Sequence, residues 1–176
     1  MIETSVAALQ IRPWQEDDNV AALTDLLHCA YARLGRLGFN YTAVDQSVAV
    51  TLERIRSGEC IIALDGAGLC GTLLFKDCAR TSGCAWYDRP DTASVSQFAV
   101  APDRQGLGIG GALLGVAEQL ARRAGAAELA LDTAEGAHHL LGFYQRRGYR
   151  PVDSLGRDGK TYDSIVLSKC LAMSEA

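Results

Sequence analysis

Apolar positions three and four apart mark the first helix. Val20, Leu23, Leu26, Leu27, Ala30 and Leu34 fall on one stripe, after the acidic run Glu16-Asp17-Asp18, where Asp17 or Asp18 can supply the cap. Gly35 and Gly38 are expected to stop it. The spacing recurs in Val44, Val48, Thr51, Leu52 and Ile55, predicting a second helix over 42–56 with Gly58 after its end. Ahead of both, residues 8–14 read as a strand closing near Pro13. Beyond them, the β-rich runs 60–64 and 69–75 flank Asp65-Gly66-Ala67-Gly68, whose residues tolerate positive φ, and so predict a hairpin. Residues 76–92 predict a loop, 93–100 a strand and 102–111 a glycine-rich turn. Leu113, Val116, Ala117 and Leu120 form the inner stripe of a helix ending near Gly125. A buried strand over 128–133, a short helix over 138–147 and strands over 149–152 and 162–168 complete the pattern. With no repeat, low-complexity segment or linker, the chain reads as one domain over 1–176. Its class is α/β (α+β), with a mixed central sheet.

Composition narrows the class of function. A chain of 176 residues with 48% hydrophobic and 22% charged side chains is globular, and it can bury roughly 70% of its unfolded surface without a disulfide or structural metal. Seventeen basic against 21 acidic side chains leave a net charge of −4, which argues against a nucleic-acid partner. The uncharged stretch 105–117 is too short and glycine-rich to span a bilayer, and residues 1–10 lack a basic run followed by an apolar block. The expected setting is therefore the cytoplasm, without membrane association. The six cysteines form no CxxC pair, the three histidines form no HExxH, and no metal is expected. The cysteines read as small buried hydrophobes of a reducing compartment.

The densest information lies at 100–114, where a strand enters, four glycines fall within 106–111 and a helix leaves. Inside a helix each glycine would cost roughly 0.5–1 kcal/mol relative to Ala. No Asp, Glu, Ser or Thr occurs from 105 to 117, so the first N–H groups of that helix have no side-chain acceptor. A phosphate would satisfy them and suit the helix dipole; close helix–sheet packing is the plainer alternative. Gly106-x-Gly108-x-x-Gly111, with Asp132 ending a strand twenty-one positions on, also fits a dinucleotide fingerprint. Against that reading, residues 101–105, including Pro102, separate the strand from the first glycine. No Gly-Lys-Ser/Thr follows, so a Walker loop is excluded.

Gln105-x-x-Gly108-x-Gly110 resembles the Gln/Arg-x-x-Gly-x-Gly/Ala signature of the GNAT superfamily of acyl-CoA-dependent N-acyltransferases. Residues 95–100 resemble that family's fourth strand, and Gly142-Phe143-Tyr144-Gln145-Arg146-Arg147-Gly148-Tyr149 resembles its Phe-Tyr-x-x-x-Gly-Phe/Tyr element. The likeness is strongest over 94–152. It implies a fold of about seven strands flanked by four helices, with acetyl-CoA as co-substrate. The backbone of Gln105, Gly106, Leu107, Gly108, Ile109, Gly110 and Gly111 would hold the diphosphate. Phe98, Ala99 and Val100 would hold the pantetheine arm, in a split between the fourth and fifth strands. Tyr144 would donate a proton to the departing thiolate, and a fourth-strand N–H would stabilise the oxyanion. The implied reaction is acetyl transfer to a primary amine of a small molecule or peptide by direct attack through a tetrahedral intermediate.

Two positions depart from the family pattern. Ala137 stands where many members carry Asn, and Gln97 leaves the fourth strand without a carboxylate, so a base would come from Asp88, Asp91, Glu135 or His138. Arg122, Arg123, Arg146, Arg147 and Arg150 are candidates for the cofactor's 3′-phosphate. Residues 1–100 hold 8 basic and 12 acidic side chains, which favours a cationic amine near that half. Acceptor choice is expected to rest with the two N-terminal helices and with Tyr31, Phe39, Tyr41, Trp86 and Tyr87. A non-catalytic acyl-CoA-binding protein and an NAD(P)-dependent oxidoreductase are the rival readings, and a homodimer is left open.

Overall fold

Side chains alternate along a strand, and residues 60–63 show what that alternation builds. Ile61 and Ala63 enter one buried cluster, Cys60 and Ile62 another on the opposite face. A strand buried on both sides reads as an unbroken apolar run, which is why 60–64 is one.

The computed structural model describes residues 9–171, so position 8 of the first expected strand and most of 1–10 lie outside the described residues. The elements run β1 (Gln10–Pro13), α1 (Val20–Arg36), α2 (Val48–Arg56), β2 (Glu59–Asp65), β3 (Gly68–Lys76), β4 (Thr92–Val100), α3 (Ile109–Arg123), β5 (Glu128–Ala134), α4 (His138–Gln145), β6 (Arg150–Leu155) and β7 (Ser164–Cys170). The seven strands form one mixed sheet in the order β1-β2-β3-β4-β5-β7-β6. All neighbours are antiparallel except β4 and β5. Leu113, Leu114, Ala117 and Ala121 of α3 pack on one face, with Phe143 and Tyr144 of α4. Leu23, Leu26 and Leu27 of α1 cover the other. Beyond β5 that second face is covered by Trp86 and Tyr87 of the 77–91 loop, which pack on Ala130 and Val166.

Several local expectations change. Asn19, not Asp17 or Asp18, caps α1, its side chain accepting from the Ala22 N–H at 3.1 Å. Asp18 instead takes a bidentate bond from Arg12 at 2.6 and 2.7 Å. Gly35 lies inside α1 rather than ending it. A Cβ there would sit 2.9 Å from Val44, so glycine permits the close approach of the 42–44 turn. The second expected helix is divided: Thr42–Val44 is a 3-10 turn and α2 starts after Ser47, whose hydroxyl accepts from the Val50 N–H. Here a good Ser cap overrides the apolar periodicity of Val44. Cys60 and Cys70 are buried as expected, whereas Cys29 and Cys170 are exposed. Burial pushes the Cys60 thiol up to about 11.

Glu128 anchors the base of the β4–β5 contact. It accepts from Arg150 at 2.8 Å and from the Ser168 hydroxyl at 2.6 Å. Burial would raise its carboxyl pKa, but the bonds from Arg150 and Ser168 hold it below the usual glutamate range. A carboxylate depressed by folding stabilises above its unfolded pKa of about 4.3 and loses that contribution as pH falls through the lower folded value. Glu128→Gln is therefore expected to cost about 1–3 kcal/mol at neutral pH. The deficit should shrink below pH ~4, read from urea unfolding of both proteins across pH.

Candidate active site

β4 and β5 run side by side only over Thr92–Ser94 and Glu128–Ala130. Past that point each continues without the other, and the gap is a wedge-shaped cleft of about 320 Å³. Its β4 wall is made by Ser94, Val95, Ser96, Gln97 and Phe98, and its β5 wall by Leu131 and Asp132. β4 parts from β5 after Ser94, and a few residues further on its pairing with β3 also breaks. Leu74 faces Ser96 and Thr72 faces Ala99, so Gln97 and Phe98 together oppose Leu73. Such a bulge bends the strand and leaves a residue outside the ladder. Gln97 has φ +50°, the single non-glycine residue with positive φ among those described. Its side-chain carbonyl is buried without a hydrogen-bond partner.

Five of the chain's six tyrosines line this cleft: Tyr31, Tyr41, Tyr87, Tyr144 and Tyr162. Two of them tie its lips to the helical side. The Tyr31 hydroxyl donates to the Phe98 carbonyl at 3.0 Å. The Tyr41 hydroxyl meets the Thr133 hydroxyl at 2.8 Å and accepts from the Ala134 N–H at 2.7 Å. Tyr41 and Tyr162 stack at 4.7 Å. Of the aromatic residues expected near an acceptor, Phe39 and Trp86 pack instead. Phe39 lies edge-on to Tyr41 and Tyr162, and Trp86 lies beneath the Arg89 guanidinium at 4.2 Å.

Tyr144 is 7% exposed. α4 is short, and Leu140, Leu141 and Phe143 pin it to the main core. The ring lies 5.3 Å from Phe143, 6.3 Å from Phe98 and 6.1 Å from Tyr149, between centroids. Its hydroxyl makes no hydrogen bond to another described residue. Burial, reinforced by Tyr31, Tyr41 and Tyr149, keeps that hydroxyl well above the usual phenol range, so it stays protonated.

The glycine turn sits at the far end of β4. Gly106 and Gly108 have φ of +81° and +84°, a region closed to most side chains, and open space lies where a Cβ would stand on either. Gly108 caps α3 with no side-chain bond, and the first turn holds no acid. Gly110 lies against Phe143 and Phe98, where an added Cβ would approach to 3.3 and 3.4 Å. The Gln105 side chain donates to the Val100 carbonyl at 3.2 Å, folding the turn over the strand end. An uncapped 15-residue helix opening on accessible amides fits a diphosphate. Among the candidate arginines, Arg147 lies beside this turn, 3.5 Å from a Cβ built on Gly111, and stacks on Phe143 at 3.7 Å. Arg150 is bound to Glu128, and Arg122 lies 3.9 Å from Glu118.

None of the expected bases, Asp88, Asp91, Glu135 or His138, lines the cleft; Asp91 pairs with Arg89 instead. The carboxylate that does is Asp132. It accepts from the Tyr87 hydroxyl at 2.9 Å and from Arg157 at 2.9 and 3.2 Å. Basic side chains also line the space: Arg54, Lys76, Arg80, Arg157 and Lys160. This reverses the expectation of an acidic N-terminal half facing the acceptor, because Arg54, Lys76 and Arg80 belong to that half. No motif marks these residues; they meet only because α2, the end of β3, and the 156–163 turn border the same gap.

Among the described residues no helix is long and apolar enough to cross a membrane, and no cluster of metal-ligating side chains occurs. The dinucleotide reading fails on topology. β4-α3-β5 is a parallel unit, but its strands part, and they lie in a sheet whose other neighbours are antiparallel.

A model of the acetyltransferase (GNAT) family matches residues 20–149. A comparison with curated proteins found no match. Solved structures share the fold at low identity. A GNAT family acetyltransferase from Elizabethkingia anophelis with acetyl-CoA bound is 22% identical, covering 92% of this chain and 97% of its own, at TM-score 0.65. A Bacillus subtilis acetyltransferase in complex with CoA is 23% identical over 93% and 99%, at 0.65. The ribosomal-protein-S18-alanine N-acetyltransferase of Escherichia coli is 16% identical over 95% and 96%, at 0.68.

Proposed function

The chain belongs to the acetyltransferase (GNAT) family, and from that premise we propose that it transfers the acetyl group of acetyl-CoA to a primary amine by direct attack. The observation that carries this reading is the shared geometry of cleft and turn. The uncapped start of α3 lies at one end of β4, and the gap between β4 and β5 opens along the same strand. The amides of residues 105–111 hold the diphosphate in this reading, and the backbone of Phe98, Ala99 and Val100 borders the pantetheine arm.

The amine nitrogen, arriving unprotonated, attacks the thioester carbonyl carbon. An N–C bond forms, and an N–H of the bulged segment 97–98 faces the developing oxyanion. As the C–S bond breaks, Tyr144 protonates the sulfur, and the proton released by the attacking nitrogen restores the phenol.

Calorimetry with acetyl-CoA, together with thiol release on a panel of primary amines, tests this. Tight binding with turnover of at least one amine supports it. Binding without turnover across polyamines, aminoglycosides, amino acids and peptides favours the non-catalytic binder. No binding overturns both.

A pH profile adds a second test. Because burial keeps Tyr144 protonated well above its ordinary pKa of about 10, it stays a competent donor across the accessible range. kcat/KM is expected to rise with pH as the amine deprotonates, and to show no basic fall below pH 10.

A further inference from the structure

The cleft collects cations out of keeping with the chain. Overall there are 21 acidic against 17 basic side chains, yet Arg54, Lys76, Arg80, Arg157 and Lys160 surround the gap against the single carboxylate Asp132. That carboxylate is already saturated by Arg157 and Tyr87. The Lys160 ammonium donates to the Asn40 carbonyl at 2.7 Å and the Thr42 hydroxyl at 3.2 Å, both uncharged. Arg54, Lys76 and Arg80 form no ion pair with any described residue. Burial, then Arg157, lowers the Arg54 guanidinium pKa; burial, Arg157 and Arg54 lower that of Lys160. These charges are partly desolvated and repel one another, and an anion placed among them would offset both costs.

Size restricts the anion's carrier. About 320 Å³ lies at the small end of small-molecule sites, ~300–1,000 Å³. The space admits a metabolite-sized acceptor rather than a folded partner. Stacked and edge-on tyrosines supply apolar walls to the same space that the cations line.

Resting on the reading above, we propose that the acceptor is a small amino acid whose carboxylate is held by the cations of the cleft wall, Arg54 foremost. Arg54 qualifies because it is half-buried, borders both the cleft and the hollow behind Gln97, and carries a planar fork that matches a carboxylate. The polycationic acceptors, polyamines and aminoglycosides, are rejected by the same charges.

The test uses matched acceptors: amino acids, their C-terminal amides and the corresponding decarboxylated amines, each with acetyl-CoA and thiol release as readout. The free acid is expected to exceed its amide by at least about 10²-fold in kcat/KM, and its KM should rise with salt. In Arg54→Gln the preference should fall at least about tenfold, and in Arg80→Gln, an exposed position whose change spares the fold, it should fall less. Binding is measured in parallel as calorimetry of N-acetyl amino acids against N-acetyl amino amides on the CoA-loaded protein. Tighter binding of the acids, lost in Arg54→Gln, supports the proposal whether or not an acceptor turns over. An amide, a decarboxylated amine or a polyamine used as well as the acid overturns it while leaving the acetyltransferase reading intact. Equal binding of acid and amide products also overturns it. Failure to bind acetyl-CoA at all defeats the underlying reading instead, and the product analogues tested on the protein alone then still decide whether the cleft selects anions.

Discussion

Tyr144→Phe is expected to lower turnover by about 10²–10⁴-fold while leaving acetyl-CoA affinity within about twofold. The ring should stay where it is, because Phe98, Phe143 and Tyr149 surround it and the substitution removes only the oxygen. That oxygen has no protein partner, so its loss orphans no buried group and thermal unfolding should move little. The fall should therefore appear in kcat, in single-turnover acetyl transfer as much as in steady state. Equal turnover by the two proteins would take Tyr144 out of the reaction and leave protonation of the sulfur to water. The defect should also shrink with an acyl donor whose thiol is more acidic than that of CoA, since a better leaving group needs the proton less.

Gly108→Val is expected to weaken acetyl-CoA binding by at least about 10²-fold in calorimetry. Gly108 sits at φ +84° as the cap of α3. A β-branched residue in that region is strained by about 1–3 kcal/mol, and relief requires the turn to rotate its amides away from a common anion. Its methyl groups would also stand in the open space beside the helix start. Most of the hydrophobic face of α3 is unaffected, since only Ile109 adjoins the cap and Leu113, Leu114, Ala117 and Ala121 lie a turn or more later. Circular dichroism should accordingly remain that of a folded protein. Undiminished affinity in a folded Gly108→Val would place the diphosphate elsewhere and overturn the proposed binding mode. Gly110→Val makes a useful contrast: its Cβ meets Phe143 and Phe98, so it should destabilise packing at least as much as it disturbs the ligand.

Both variants test residues that a linear motif exposes. Gln105, Gly108 and Gly110 lie within one six-residue stretch, and the requirement they answer is local: a tight turn, then a helix without a side-chain cap. Tyr144 is legible for the same reason, within a Phe-Tyr and Gly-Tyr spacing set by one short helix and the strand after it. The hairpin at 65–68 and the stripes of α1 and α3 are also local, because burial of one face imposes a period of two or three to four on neighbouring residues. Where local cues competed, the outcome went both ways: Ser47 starts α2 despite Val44 fitting the stripe, whereas α1 runs through Gly35, whose missing Cβ leaves room for Val44.

The aromatic part of the acceptor side was expected, since Tyr31, Tyr41 and Tyr87 do line the cleft, but its charged part was not readable in this way. Arg54, Asp132, Arg157 and Lys160 are scattered across the chain, and none is marked as an acceptor-side residue by its own neighbourhood. They become a site because β7 inserts between β5 and β6, because β4 carries an extra residue at 97–98, and because β4 and β5 separate after three paired positions. Net charge misled for a related reason. It sums over the whole chain, whereas the potential in a cleft depends on which few charges lie within a Debye length of about 10 Å. The amino-acid order thus dictates secondary elements, the glycine turn and the tyrosine through short-range sterics and hydrogen bonding. The sign and shape of the acceptor cleft come from strand order and register, which are settled by contacts between residues distant in sequence.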